Sequence, residues 1–143
     1  MRFCLYSPGM NWEAKGFPGV EDEQILTIDE QGNVFLKTYC YSLAHEKVVK
    51  RKESCLLDEK TTQDLMHYLE IVSQTEPSDY PDYIRPWILS WEDGQTNGLM
   101  NGQVYAKDVD LTEYMRKVIP LSDLFIFDNT DRQDIGMGCY CAE

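Results

Sequence analysis

The sequence predicts a single α+β domain, in which an antiparallel sheet of about five or six strands carries two helices packed on one face. Three observations support this class. Extended apolar runs are separated by glycine-containing turns, two stretches repeat apolar residues at helical spacing, and no linker divides residues 1–143. The chain has 143 residues and is 43% hydrophobic, which suits one domain with one core.

Four extended runs in the first half of the chain predict strands. The opening run, residues 3–6, predicts a short edge strand. Residues 25–29 and 34–41 are rich in β-branched and aromatic residues and flank a turn at Gly32. Residues 46–54 hold four of the 13 basic residues, which is typical of an edge strand kept soluble by its charge.

Two helices follow from capping residues and apolar spacing. Asp58 is a suitable N-cap for a helix over 58–74, and Asp110 for a second helix that ends before Pro120. Apolar residues recur along one side of each helix: Leu65, Met66, Leu69 and Val72, then Leu111, Tyr114, Met115 and Val118. The apolar run 124–127 predicts a last strand, and residues 129–143 predict a flexible tail.

A hairpin is predicted around Asp93 and Gly94, the dipeptide that best fits a tight turn. The strand before it, residues 87–92, alternates in the expected way. Glycines at 94, 98 and 102 weaken the arm after it and predict a bulge or a loop before residues 103–105.

The four aromatic residues around this hairpin are the candidate binding residues. Trp87 and Trp91 share one strand face, and Tyr80 and Tyr83 lie in the loop before it. If their strand face packs against the helices, the tryptophans are core residues. This arrangement is favoured, because the opposite face of the strand is the more polar one. On the open side, the aromatic residues would form an exposed patch of the kind that marks a binding site.

The net charge and the cysteine content limit the classes of binding partner and the cellular compartment that we expect. The net charge of -12 repels phosphate, so we expect no nucleic-acid partner, and a basic protein surface is the complementary one. No run approaches the ~20 apolar residues of a membrane span, and no signal peptide is recognisable. Five cysteines, an odd number, predict free thiols in the cytoplasm.

The cysteines also raise the question of a metal site or a thiol enzyme. Cys139 and Cys141 are candidate ligands for a soft metal ion, but a zinc site needs four ligands and His67 is far away in sequence. We therefore expect no cofactor. Cys40 or Cys139 with His45 as base is the alternative thiol-enzyme pair, although no orienting third group is recognisable.

One segment carries a resemblance. Residues 87–94, Trp-Ile-Leu-Ser-Trp-Glu-Asp-Gly, precede a glycine-containing strand, a helix and the run 119–125, Ile-Pro-Leu-Ser-Asp-Leu-Phe. This order resembles small uncharacterised bacterial α+β proteins, in which a W-x-x-x-x-x-D-G hairpin precedes a helix that covers the sheet. The resemblance implies this fold and a bacterial origin. It implies no activity, and no functional residue is transferred from it.

The function that the sequence favours is non-enzymatic protein binding. The chain lacks nucleotide-binding fingerprints and has only two histidines, whereas its acidic surface would speed the approach to a basic partner. We expect an immunity-like or accessory domain of the cytoplasm. The alternatives are a small thiol-dependent enzyme and a metal-binding accessory protein that uses its cysteines.

Overall fold

The computed structural model describes residues 1–9, 17–80, 85–99 and 104–127. The elements are β1 Arg2–Pro8, β2 Glu23–Asp29, β3 Asn33–Tyr41, β4 Lys47–Leu56, α1 Glu59–Ser73, β5 Trp87–Trp91, β6 Gly94–Gly98, β7 Tyr105–Ala106, β8 Val109–Asp110 and α2 Leu111–Val118. Six strands form one antiparallel sheet in the order β4-β3-β2-β1-β5-β6, and β7 pairs with β8. The helices lie mostly on one side of the sheet, which confirms the predicted α+β class.

The first strand is an interior strand, so the prediction of an edge strand at residues 3–6 is wrong. β1 pairs with β2 on one side and with β5 on the other. Phe3 and Leu5 are each 2% exposed on the helix-covered face. Composition alone indicated a strand, but only pairing with residues far along the chain decides whether a strand has one neighbour or two.

The predicted charged edge strand is confirmed. β4 is the last strand on its side of the sheet, and each of its ten residues is exposed or half-buried. Its pairing with β3 shifts between Thr38 and Tyr39, which face Arg51 and Val49 respectively. Lys50 is thereby the extra residue of a β-bulge.

Both helices begin and end close to their predicted limits. The carboxylate of Asp58 accepts a hydrogen bond from the Thr61 amide at 2.7 Å, and that of Asp110 from the Glu113 amide at 3.1 Å. The side of α1 that faces the sheet buries four residues, namely Thr62, Leu65, Leu69 and Val72. Satisfied N-termini and continuous apolar stripes explain why these two predictions hold.

The predicted hairpin is confirmed, but its tight turn is Glu92-Asp93 rather than Asp93-Gly94, because Gly94 is the first residue of β6. Its glycines do not interrupt the second arm. β5 and β6 pair in one register, with Trp91 opposite Gly94 and Trp87 opposite Gly98. The sequence predicts a bulge or a loop before residues 103–105: residues 94–98 contain no bulge, and β6 ends at Gly98. The remaining part of that prediction, at 100–103, lies outside the described residues.

The run 124–127 is buried but is not a strand, so the expected last strand is wrong. The backbone has positive φ at Ile126 and Phe127, which no strand adopts. The Phe125 amide donates to Gln24 Oε1 at 2.9 Å, and the Phe127 amide donates to Ser7 Oγ at 3.0 Å. Polar side chains of the sheet thus satisfy this backbone in place of a strand neighbour. The tail predicted at 129–143 lies outside the described residues.

Candidate functional site

The two tryptophans lie on the helix-covered face of the sheet. Trp87 is 4% exposed and contacts Phe127 edge to face, with ring centroids 4.9 Å apart. Trp91 is half-buried and contacts Phe3 in the same manner at 6.1 Å. These positions confirm the core interpretation of the hairpin. A binding role for either tryptophan stays a prediction.

The other predicted site residues either lie apart from one another or fall outside the described residues. Tyr80 is exposed at the end of the loop that follows α1. Tyr83, Cys139 and Cys141 lie outside the described residues. Cys40 is buried on the helix-covered face, whereas its suggested partner His45 is exposed in the turn between β3 and β4.

The thiols that the structure describes are free. These are Cys4, Cys40 and Cys55, and burial raises the pKa of the Cys55 thiol, which makes it a weaker nucleophile at neutral pH. Over the same described ranges, no group of three or more histidine, cysteine, aspartate or glutamate side chains could hold a metal ion. His67 is exposed on α1.

The face of the sheet opposite the helices, here called the open face, was not predicted as a site. Two cross-strand rows run along it. The first row is Asn97, Ile88, Tyr6, Ile25, Lys37 and Lys52, and the second is Gln95, Ser90, Cys4, Thr27, Phe35 and Ser54. Phe35, the third residue of β3, is 56% exposed. The open face therefore combines an aromatic side chain with two lysines.

A shallow concavity of about 410 Å³ lies at the β3–β4 end of the open face. Its walls include Ile25, Phe35, Lys37 and Lys52. The two lysines are direct cross-strand neighbours, an arrangement that is unfavourable for like charges. The Lys37 ammonium lies 5.6 Å from the Tyr39 ring, and within the described residues neither lysine forms an ion pair. This concavity is apolar at its wall and locally positive.

Exposed apolar side chains are frequent on the β3–β4 hairpin. Of the nine large hydrophobic residues that are exposed among those described, five belong to this hairpin: Phe35, Leu43, Val48, Val49 and Leu56. By register, Phe35, Val49 and Leu56 belong to the open face, whereas Val48 lies opposite Cys40. Single exposed hydrophobics are ordinary on a protein surface, but several on one hairpin favour a contact surface.

A network of charged and hydrogen-bonded side chains lies at the neighbouring end of the open face. The Tyr6 hydroxyl donates to Glu23 Oε2 at 2.6 Å, and Lys47 Nζ donates to Glu23 Oε1 at 2.6 Å. Arg85 Nη1 donates to Asp22 Oδ1 at 3.0 Å, and its Nη2 lies 3.4 Å from both Glu23 and Tyr6. The network connects β1, β2 and β4 with Arg85, which lies two positions before β5.

The protonation states in this network follow from its contacts. Burial and the hydrogen bond to Glu23 raise the pKa of Tyr6 to about 12, so its phenol keeps the proton that it donates. Burial alone would raise the pKa of Glu23, but the hydrogen bonds from Lys47 and Tyr6 outweigh it and lower that pKa. Because its charges neutralise one another, the network is suited to anchoring the chain rather than to proton transfer.

Carboxylates crowd at one end of the sheet, here called the acidic end. Its members are Asp29, Glu30, Asp58, Glu59, Glu92 and Asp93. The Leu57 amide donates to the Gly32 carbonyl at 2.9 Å, which holds the start of α1 against the β2–β3 turn. The Arg2 amide donates to Glu92 Oε2 at 2.8 Å, which holds the β5–β6 turn beside them.

Hydrogen bonds hold the pKa of two carboxylates of the acidic end below their ordinary values. Hydrogen bonds from Thr61 lower the pKa of Asp58. Burial opposes the same change at Asp29 and is its largest single influence, but the hydrogen bonds from Asn33 and the turn together outweigh it and lower the pKa. Positive charges near the acidic end include Arg2, Lys60, which pairs with Asp64, and the amino terminus, which pairs with Glu30.

Comparison with protein-family models, with curated proteins and with solved structures finds no match for this chain. No helix among residues 1–9, 17–80, 85–99 and 104–127 is both long enough and apolar enough to cross a bilayer.

One signal in the sequence could have identified the open face. In β3, Val34, Leu36 and Thr38 alternate with residues that include Phe35 and Lys37. An aromatic residue in the outward-facing set is an informative exception to the usual alternation. No local pattern could have placed Lys52 opposite Lys37, because that contact depends on the register between strands.

Proposed function

We propose that this protein is a non-enzymatic, acidic protein-binding domain of the cytoplasm, immunity-like or accessory in role, that covers a basic surface of a partner protein. The observation that carries the proposal is the dense negative charge of the acidic end, within a chain of net charge -12. The exposed apolar residues of the β3–β4 hairpin also favour binding to another protein.

Electrostatic attraction would act mainly on the rate of association. A surface of one charge sign guides an oppositely charged partner and can raise the association rate constant by about 10–10³ at low salt. Salt screens this attraction over a Debye length of about 8 Å at physiological ionic strength. The same field repels phosphate, so we expect no binding to nucleic acid. The three described cysteines, all free thiols, are consistent with a reducing compartment.

The test combines capture of partners with a charge-neutralised variant. The variant Glu30→Gln, Glu59→Gln and Asp93→Asn removes three exposed charges of the acidic end and retains the hydrogen-bonding Asp29 and Asp58. The wild-type protein should capture a basic partner from cytoplasm. With that purified partner, stopped-flow measurement should show an association rate that falls with salt, and the variant should associate about tenfold more slowly at low salt.

A matched control changes the net charge equally at other positions. Glu70→Gln, Glu76→Gln and Asp108→Asn remove three exposed carboxylates outside the acidic end. This control should associate nearly as fast as the wild type. Equal slowing of both variants would mean that only net charge matters, and a captured partner that is itself acidic would contradict the proposal. Catalytic turnover dependent on Cys40 would support the thiol-enzyme alternative instead.

A further inference from the structure

We propose that the outer edge of β4 binds an extended segment of another protein, which adds as a further strand and carries acidic and apolar side chains alternately towards the open face. This surface is separate from the acidic end and has the opposite charge. The inference therefore goes beyond the proposed function and does not depend on it.

The first support is the availability of the edge. β4 is ten residues long and terminates the sheet, so one side of its backbone has no strand neighbour among the described residues. An edge of this length presents a row of backbone donors and acceptors that can pair with an added strand. Val49 and Leu56 remain 40% and 69% exposed there.

The second support is the charge of the edge. Four basic residues and one acidic residue lie within β4, although the whole chain has a net charge of -12. Arg51 is neutralised by Glu21 and Glu53, and Lys47 by Glu23. Lys52 has no such ion pair among the described residues, nor has its cross-strand neighbour Lys37. An acidic side chain opposite Lys52 on an added strand would offset the positive charge of this lysine row.

The third support is the concavity beside the edge. Lys37 and Lys52 lie in one cross-strand row, and Phe35 lies in the next row. Side chains two residues apart on an added strand point to the same face. A carboxylate opposite Lys52, in the lysine row, and an apolar group opposite Ser54, in the row of Phe35, would therefore stand at positions i and i+2 of the bound segment.

Charge complementarity selects another protein over a second copy of this chain. Two paired copies of β4 would bring eight basic residues together with only two acidic ones. Like charges directly opposite each other destabilise a strand pair. An acidic segment has no such conflict.

The test uses a synthetic peptide with the repeat Glu-Thr-Val-Thr and about the length of β4. In a strand, this repeat places glutamate and valine alternately on one face. We expect millimolar or tighter binding at low salt, with NMR amide shifts concentrated in β4 and at Phe35. The double variant Lys37→Glu and Lys52→Glu should bind about tenfold more weakly, which corresponds to the loss of two exposed ion pairs.

Three controls make the result decisive. Lys107→Glu and Lys117→Glu reverse two exposed lysines elsewhere and should leave binding unchanged. A Lys-Thr-Val-Thr peptide should not bind, and a backbone N-methylated Glu-Thr-Val-Thr peptide should fail because it cannot pair as a strand. The inference is overturned by binding weaker than about 1 mM, by equal binding to the Lys37/Lys52 variant, or by concentration-dependent dimerisation through β4.

Discussion

The indole of Trp87 occupies the space that a side chain at Gly98, its cross-strand partner, would need. A Cβ built on Gly98 would lie 2.5 Å from Trp87 Cζ2 and 2.7 Å from Cε2. Trp87 also contacts Phe127 and is almost completely buried. Glycine at position 98 is therefore the residue that lets the indole lie across the strand.

Substitution of Gly98 should be costly because the indole cannot move away. We expect Gly98→Ala to lower the free energy of unfolding by about 1–3 kcal/mol through overpacking, as measured by urea denaturation. Gly94→Ala should cost less, since its neighbour Trp91 is only half-buried. In a Trp87→Leu background the cost of Gly98→Ala should shrink. An unchanged cost there would show that the clash is not with the indole.

Two buried threonines should respond in opposite ways to the same substitution. Thr38 is fully buried and its hydroxyl has no hydrogen-bond partner among the described residues, so Thr38→Val should stabilise the protein by about 1 kcal/mol. Thr96 is 2% exposed and donates to the Thr75 carbonyl at 2.7 Å. Thr96→Val should therefore destabilise it by about 1 kcal/mol. Thermal or denaturant unfolding checks both, and the same sign for both variants would contradict the assignment.

The side chain of Gln24 should control the segment after α2. Its amide nitrogen donates to the Asp123 carbonyl at 2.7 Å, and its oxygen accepts from the Phe125 amide. Gln24→Leu should cost about 1–3 kcal/mol, because it removes the hydrogen-bond acceptor of the buried Phe125 amide. Hydrogen exchange should accelerate most at the Phe125 amide. Ser7→Ala is the matched control, since it should instead accelerate exchange at the Phe127 amide.

Glu23 should make stability depend on pH in the acid range. Its pKa in the folded protein is below the ordinary value of 4.5, so the unfolded chain binds the proton more tightly. The stabilisation is therefore complete above pH 4.5 and is lost as the pH falls through the lowered pKa. Unfolding of Glu23→Gln should depend less on pH in this range than that of wild type. Glu70→Gln, at an exposed position on α1, should retain the wild-type dependence.

Tyr6 should make stability fall as the pH rises in the alkaline range, whereas Glu23 makes it fall as the pH decreases in the acid range. Its pKa rises from 10.0 to about 12 in the folded protein, so the unfolded chain loses the proton first. Stability should fall as the pH rises between these two values. Tyr6→Phe has no phenol to ionise and should lose less stability over the same interval, as measured by denaturant midpoints. An identical alkaline loss in both proteins would place its origin elsewhere.

Part of the candidate surface was predictable from local pattern. The alternation in β3 and the run of basic residues in β4 are visible in the sequence, and the latter correctly indicated an edge strand. The predicted aromatic site was less informative, because Trp87 lies in the core while Tyr80 is exposed. The Lys37–Lys52 pair and the acidic end appear only when distant strands and turns are brought together.

The sequence by itself determined the elements whose signals are short-range. Asp58 and Asp110 cap their helices, a hairpin joins β5 to β6 within one residue of the predicted turn, and the stripe at Leu65 and Leu69 is buried. Each of these depends on residues that are a few positions apart. Hydrogen bonds, turn geometry and helical periodicity act over that range.

Only the tertiary structure decided the position of β1, the conformation of residues 124–127 and the composition of the open face. β1 is interior because β5 pairs with it from more than eighty positions away in the chain. Residues 124–127 are irregular because Gln24 and Ser7, from other strands, satisfy their amides. The physical reason is common to all three: strand order and register are set by contacts between distant segments, and a shift of one residue would exchange the two faces of a strand.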